Sequence, residues 1–173
     1  MRSLAGVAPG IAPIAVEHEG NTTSSPEEAA RVVELAQSLM GAQWTGARDD
    51  QAQRARPLGP EDVIVVAAYN NQVRLIRRRL GEAGLGPIMV GTVDKFQGRE
   101  NVVVIVSMAT SSAEDLPRGI DFLLSPNRLN VAISRAQWAC CLVSSPALIE
   151  VAPPSVVGME RLGGFLELVN ESV

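Results

Sequence analysis

The sequence predicts an α/β domain built on a mostly parallel sheet with helices on both faces. Three observations carry this. Apolar residues make up 46% of the chain but aromatics only 3%, so the interior must be filled by Val, Leu, Ile and Ala, the residues of strands buried on both faces. The densest apolar segments are short and β-branched, Val63 to Ala67 and Val102 to Ser107. Segments of helical period lie between them with short links, an alternation that favours parallel strands joined by right-handed crossovers. At 173 residues the chain suits one domain over 1–173 better than two.

An extended apolar segment starts at Ile14 to Val16. Ser24-Ser25-Pro26-Glu27-Glu28 then supplies a cap, a proline for a first helical turn and two carboxylates facing the positive helix end. A helix is expected from Pro26 to Met40, with Ala29, Val32, Val33, Ala36, Leu39 and Met40 on its buried face. Residues 41–60 are polar, carry Gly, Asp and Pro without period, and predict a surface loop. The strand Val63 to Ala67 leads into a helix from Asn70 to about Ala83. There Val73, Ile76, Leu80 and Ala83 lie on one side, Arg74, Arg77 and Arg78 largely on the other, and Gly84 ends it. Ile88 to Val90 is a short strand and Val102 to Ser107 a second dense one. The connection 109–126 is long enough to be functional or mobile. A helix over Asn127 to Ala136, a strand over Trp138 to Val143, a short helix after Pro146 and a final helix over Leu162 to Val169 complete the expectation.

Formal net charge is −4, which alone argues weakly against nucleic acid, but the charge is uneven. Between Arg54 and Arg99 there are eight basic residues against four acidic ones. Cys140 and Cys141 are adjacent, so a mutual bridge is implausible and a reducing, cytoplasmic setting is expected. The first twenty residues are interrupted by Pro9, Gly10 and Pro13 and lack the form of a signal peptide. No run reaches the ~18 apolar residues of a membrane span. His18 is the sole histidine, which leaves no material for a two-histidine metal site or a serine triad; it is expected to be structural or at the surface.

In open parallel sheets ligands bind beyond the carboxyl ends of the strands. That rule selects three segments, Ala67 to Gln72, Gly91 to Glu100 (GTVDKFQGRE) and Arg128 to Gln137 (RLNVAISRAQ). The second resembles motif V, and the third motif VI, of the second RecA-like motor domain of superfamily 1 helicases, in the branch that contains the nonsense-mediated-decay and DNA-replication-nuclease helicases. VVAAYNNQV is similar to a segment that usually reads as a strand followed by Pro-Tyr, with Ala68 here in place of the Pro. VEHEGNTTSSPEEA resembles bacterial members in which the motor is joined to a RecB-like nuclease.

The resemblance implies a RecA-like three-layer sandwich, ATP with Mg²⁺ held mainly by an upstream RecA-like motor domain of the same polypeptide, and single-stranded nucleic acid as partner, DNA before RNA. A monomer without membrane contact is expected. Arg135 matches the arginine finger, the guanidinium that stabilises charge on the γ-phosphoryl group in the transition state. Arg128, seven residues earlier, falls near the same helical face and either meets phosphate or orients the finger. Gly98 permits a tight turn, and Glu100 matches a carboxylate that accepts from the ribose, positions the finger or merely caps a neighbouring element. Gly91 and Thr92 and the backbone amides at Tyr69 and Asn70 are candidates for the nucleic-acid grip, with Arg74, Arg77 and Arg78 adding attraction or forming a solvated face. Tyr69 either stacks on a base or packs.

Lys95, the only lysine, is followed by Phe96, so it does not belong to a G-x-x-x-x-G-K-[ST] phosphate loop. The isolated chain is therefore expected not to hydrolyse ATP. The competing expectation is a stand-alone nucleotide or nucleic-acid binding module. A metal-dependent nuclease lacks a convergent acidic set, with Asp94, Glu114, Asp115 and Asp121 the nearby supply. No metal-ligating residues are assigned.

Overall fold

The computed structural model describes residues 3–46, 55–96, 100–115 and 126–150. Its centre is a five-stranded, all-parallel sheet of β2 (Gly10–Ala15), β5 (Val63–Ala67), β6 (Met89–Gly91), β7 (Asn101–Ser107) and β8 (Ala136–Ser144), in the order β2-β8-β7-β5-β6. Beside it lies a small antiparallel sheet of β1 (Ser3–Leu4), β3 (Gln43–Thr45) and β4 (Arg56–Pro57). The helices are α1 (Pro26–Leu39), α2 (Asn70–Glu82), α3 (Pro126–Ile133) and the single turn α4 (Ala147–Glu150).

Alternate residues of each central strand enter opposite cores, as the two-residue pleat requires. Val63, Val65, Ala67, Val103, Ile105, Cys141 and Val143 pack with the buried faces of α1 and α2. Ile64, Val66, Val104, Val106, Cys140 and Leu142 pack on the other side with Phe96, Ala132 of α3 and Leu148 of α4. This is the three-layer α/β sandwich the pattern predicts. Ser25 caps α1 by accepting from the Glu28 N–H at 3.0 Å, a bond of the kind that contributes about 1 kcal/mol.

The structure departs from expectation in three places. The first strand of the sheet is six residues long and starts at Gly10, not Ile14. Within 41–60, where a surface loop is predicted, β3 and β4 form, and Trp44 and Leu58 are buried. Trp44 meets Trp138 edge-on with ring centroids 5.9 Å apart, which explains why an otherwise polar segment is held to the body. The helix predicted over Asn127 to Ala136 stops at Ile133, because Ala136 already pairs with Asn101 at the start of β8. The helix predicted over Leu162 to Val169, most of the connection 109–126, and Gln97, Gly98 and Arg99 lie outside the described residues. Among the described residues no helix is long and apolar enough to cross a membrane.

Candidate functional site

Because every central strand runs the same way, the sheet has one carboxyl edge and one amino edge, and the candidate residues divide between them. Gly91 ends β6 at the carboxyl edge, with Thr92 half-buried just beyond it. A Cβ built on Gly91 would lie 2.5 Å from Lys95 Cδ, 3.0 Å from Lys95 Cβ and 3.2 Å from Phe96 Cε2. The missing side chain is what lets the 3₁₀ turn Val93–Phe96 fold back beneath the strand end. Tyr69 and Asn70 follow β5 at the same edge, where Tyr69 precedes the first turn of α2 and Asn70 is exposed. The Tyr69 ring is only 7% exposed and belongs to the core with Phe96 and Met108.

Of the α2 arginines, Arg74 is exposed and makes no ion pair among the described residues. Arg77 donates from Nη2 to the Val90 carbonyl at 2.8 Å, tying the helix to the end of β6. Arg78 Nε faces Glu82 Oε1 at 3.9 Å.

The other group stands at the opposite edge. In the β7–β8 register Asn101 pairs with Ala136, and the Asn101 N–H donates to the Arg135 carbonyl at 3.0 Å. Glu100 and Arg135, each one residue earlier, therefore emerge beside one another at the amino ends of the two strands. Glu100 is exposed and lines a recess of about 460 Å³ together with Glu61, Pro87, Met89 and Asn101. Arg135 is half-buried; its Nε–H is buried and has no acceptor among the described residues, and the guanidinium forms no ion pair there. A buried, permanently charged donor without an acceptor is costly, which makes Arg135 the candidate at this edge for meeting an anion.

Two expectations change here. The rule that ligands gather at carboxyl ends applies to Tyr69, Asn70, Gly91 and Thr92, but not to Arg135 and Glu100, because the segment carrying Arg135 enters β8 and does not leave it. The shared helical face expected for Arg128 and Arg135 also does not form. Arg128 is on α3, whereas Arg135 lies past the helix end in a turn closed by Ser134 N–H to Asn130 O at 2.8 Å and Arg135 N–H to Ala132 O at 3.2 Å. Gly98 lies outside the described residues.

A buried polar cluster at the carboxyl edge escaped the sequence reading. Glu28, fully buried, accepts at Oε1 from His18 Nε2 (2.9 Å) and at Oε2 from the Ser107 hydroxyl (2.6 Å) and the Ala109 N–H (2.9 Å). His18 Nδ1 meets Ser111 Oγ at 2.7 Å, and Ser111 Oγ also accepts from the Asn21 N–H at 2.8 Å. Gln72, likewise fully buried, donates to Ser107 Oγ and the Ser25 carbonyl and accepts from the Ser25 N–H. The visible signal was positional: Glu28 stands four residues before Val32, and Gln72 four before Ile76, so both extend apolar stripes into the first helical turn. Among the described residues no three His, Cys, Asp or Glu side chains converge as they would around a metal ion.

A protein-family model described as an AAA domain matches residues 13–147. The chain is 38% identical over 95 residues to the DNA replication ATP-dependent helicase/nuclease DNA2 of Mus musculus, covering 55% of this chain and 9% of that protein. It is 40% identical over 95 residues to the DNA polymerase alpha-associated DNA helicase A of Schizosaccharomyces pombe, covering 55% of this chain and 14% of that one. Over a longer stretch of 147 residues it is 29% identical to the 3'-5' exoribonuclease HELZ2 of Homo sapiens, covering 78% of this chain and 5% of that protein. The chain thus spans between 5% and 14% of the length of these relatives.

Proposed function

The chain belongs to the AAA-domain family, as the C-terminal RecA-like region of superfamily 1 helicases, and we propose that it is the second motor half of an ATP-dependent DNA helicase. In this reading it supplies the arginine finger and part of the single-strand grip. The observation that carries it is the buried Arg135 Nε–H, without an acceptor among the described residues, beside Glu100 at the amino edge.

Hydrolysis of ATP spreads negative charge over the γ-phosphoryl oxygens in the transition state, and a guanidinium brought in from a neighbouring domain stabilises that charge by about 10³ to 10⁵ in rate. Arg135 has the planar fork and the permanent charge this requires. Its backbone is fixed by the hydrogen bond to Asn101, so the finger is held by the sheet and not by a free loop. In this reading Glu100, its neighbour, accepts from a ribose hydroxyl or orients the finger once nucleotide is present, and Arg128 and Gly98 are assigned to the nucleotide with it. The phosphate loop and the carboxylates for Mg²⁺ belong to the upstream motor half.

The grip is assigned to the opposite edge: Thr92 after Gly91, the backbone amides of Tyr69 and Asn70, and the exposed charge of Arg74 toward the sugar-phosphate backbone. The segment 92–100 leaves β6 at the grip edge and enters β7 at the nucleotide edge, so it joins the two sites. Phe96, 1% exposed and packed with Ala132 of α3, anchors that connection midway. In this reading nucleotide-dependent movement at Glu100 passes to Thr92 through this connection, which is how ATP turnover alternates the grip.

The test is Arg135→Ala in a polypeptide that joins this chain to its N-terminal motor half. Turnover should fall by about 10³-fold or more while ATP binding stays nearly intact. Lost binding with unchanged turnover per bound nucleotide would refute the assignment. The chain alone should neither hydrolyse ATP nor bind it tightly; tight binding would favour a stand-alone module.

A further inference from the structure

The strand β7 ends in an unusual turn. The Thr110 N–H donates to the Met108 carbonyl at 2.9 Å, and the residue between them, Ala109, has φ 67°. A three-residue turn with positive φ at a side-chain-bearing residue is rare and strained, and such strain persists only where the surroundings over-determine it. Here the determinant is visible. The Ala109 N–H is held by Glu28 Oε2, which also takes the Ser107 hydroxyl, so the carboxylate ties the turn's central residue to the strand end before it.

The same carboxylate reaches two other carboxyl-edge connections. Through His18 and Ser111 it fixes the segment after β2, where Ser111 and Asn21 exchange bonds in both directions and Thr110 donates to the Thr22 carbonyl at 2.7 Å. Through Ser107 and Gln72 it fixes the start of α2, next to Asn70. The Glu28 carboxylate thus meets three partners, His18 Nε2, the Ser107 hydroxyl and the Ala109 N–H, and the His18 ring is held between Glu28 and Ser111.

We infer that Glu28 is a positioning residue of the single-strand grip: without touching nucleic acid, it locks the connections after β2 and β7 and the start of α2 into one rigid edge. The inference rests on the grip being at that edge. It assigns to this buried cluster a role in affinity that packing alone would not give, since the three segments have no regular secondary-structure bond joining all of them.

The experiment measures binding of a labelled oligothymidylate to the chain, with urea unfolding followed in parallel. Glu28→Gln and Ser111→Ala are the test variants, and Val103→Ala, a cavity in the sheet core, is the control of comparable instability. Glu28→Gln should weaken binding several-fold, by loosening the edge and not by removing a contact to the strand. Ser111→Ala should weaken it in the same direction, and Val103→Ala should leave the affinity of the folded molecules unchanged. The salt dependence should keep its slope in both test variants, because no phosphate contact is removed. If Glu28→Gln does not fold, Ser111→Ala decides alone. Wild-type affinity in the folded test variants, or an equal loss in Val103→Ala, would overturn the inference. A wild-type chain that does not bind the oligonucleotide would instead overturn the grip reading itself.

Discussion

Gly91→Ala is the substitution whose effect follows most directly from the geometry. The added methyl would stand 2.5 Å from Lys95 Cδ, but that atom belongs to an exposed side chain and can swing away at little expense. The contacts at 3.0 Å to Lys95 Cβ and 3.2 Å to Phe96 Cε2 are different. The first is fixed by the backbone of the 3₁₀ turn, and the second belongs to a ring that is 1% exposed and cannot retreat without disturbing Met108 and Ala132. Overpacking of this kind costs about 1–3 kcal/mol. Against it stands the stiffer unfolded chain that alanine brings, worth about 0.4–1 kcal/mol in the other direction. The net expectation is a loss of about 1–2 kcal/mol, measured as a lower urea midpoint at unchanged slope in circular dichroism. A double variant with Lys95→Ala should recover only the minor part, since Cβ and the ring remain. Stability within about 0.5 kcal/mol of wild type, the usual scatter of surface changes, would refute the close-approach argument for this glycine.

Three further outcomes are expected. Asp62 is buried, which raises its carboxyl, but the Arg56 fork at 2.6 Å on both oxygens and the Gly59 N–H at 2.9 Å outweigh this and hold it below its ordinary value of 3.8. A depressed folded value means the stabilisation is present above about pH 4 and is lost as the pH falls through the folded value; Asp62→Asn should therefore flatten the fall in urea midpoint between pH 5 and about pH 2, and an unchanged acid slope would contradict the pairing. Ser25→Ala removes the cap on Glu28 N–H and should lower stability by about 1 kcal/mol in thermal melts followed by calorimetry, a value near zero showing the cap to be idle. Burial, with Cys141 beside it, pushes the Cys140 thiol up to about 12, and burial raises Cys141 as well, so iodoacetamide at pH 8 should label neither until denaturant is added.

The layers of the fold were legible because each central strand states its burial twice. VIVVA and NVVVIVS are apolar at odd and even positions alike, which only a strand covered on both faces tolerates, and the two cores divide those positions as the pleat demands. The small sheet was not legible: β3 and β4 are three and two residues long, and what holds the segment is Trp44 reaching Trp138, a contact across 94 positions that no local period encodes. The edge on which Arg135 stands was legible: a helix over Asn127 to Ala136 before a strand over Trp138 to Val143 sets Arg135 at a strand's entry, and only the carboxyl-end rule misplaces it.

The polar cluster shows where the hydrophobic pattern gives out for a physical reason. Glu28 and Gln72 occupy the buried stripes of α1 and α2 in their first turns, where a count of apolar residues passes over them and Glu28 reads only as a carboxylate facing the positive helix end. The strand ends and connections beside two helices that begin at the same sheet edge carry N–H and C=O groups that no ladder satisfies. Ala109 N–H, the Ser25 N–H and C=O and the Asn21 N–H are such groups, and Glu28, Gln72 and Ser111 answer them. A polar residue in phase with a buried stripe, within one turn of a helix start at the carboxyl edge of a parallel sheet, is therefore the mark of backbone that must be held in one shape. In this chain that backbone borders Asn70 and the turn at Ala109, the places where a rigid edge would matter to a strand passing over it.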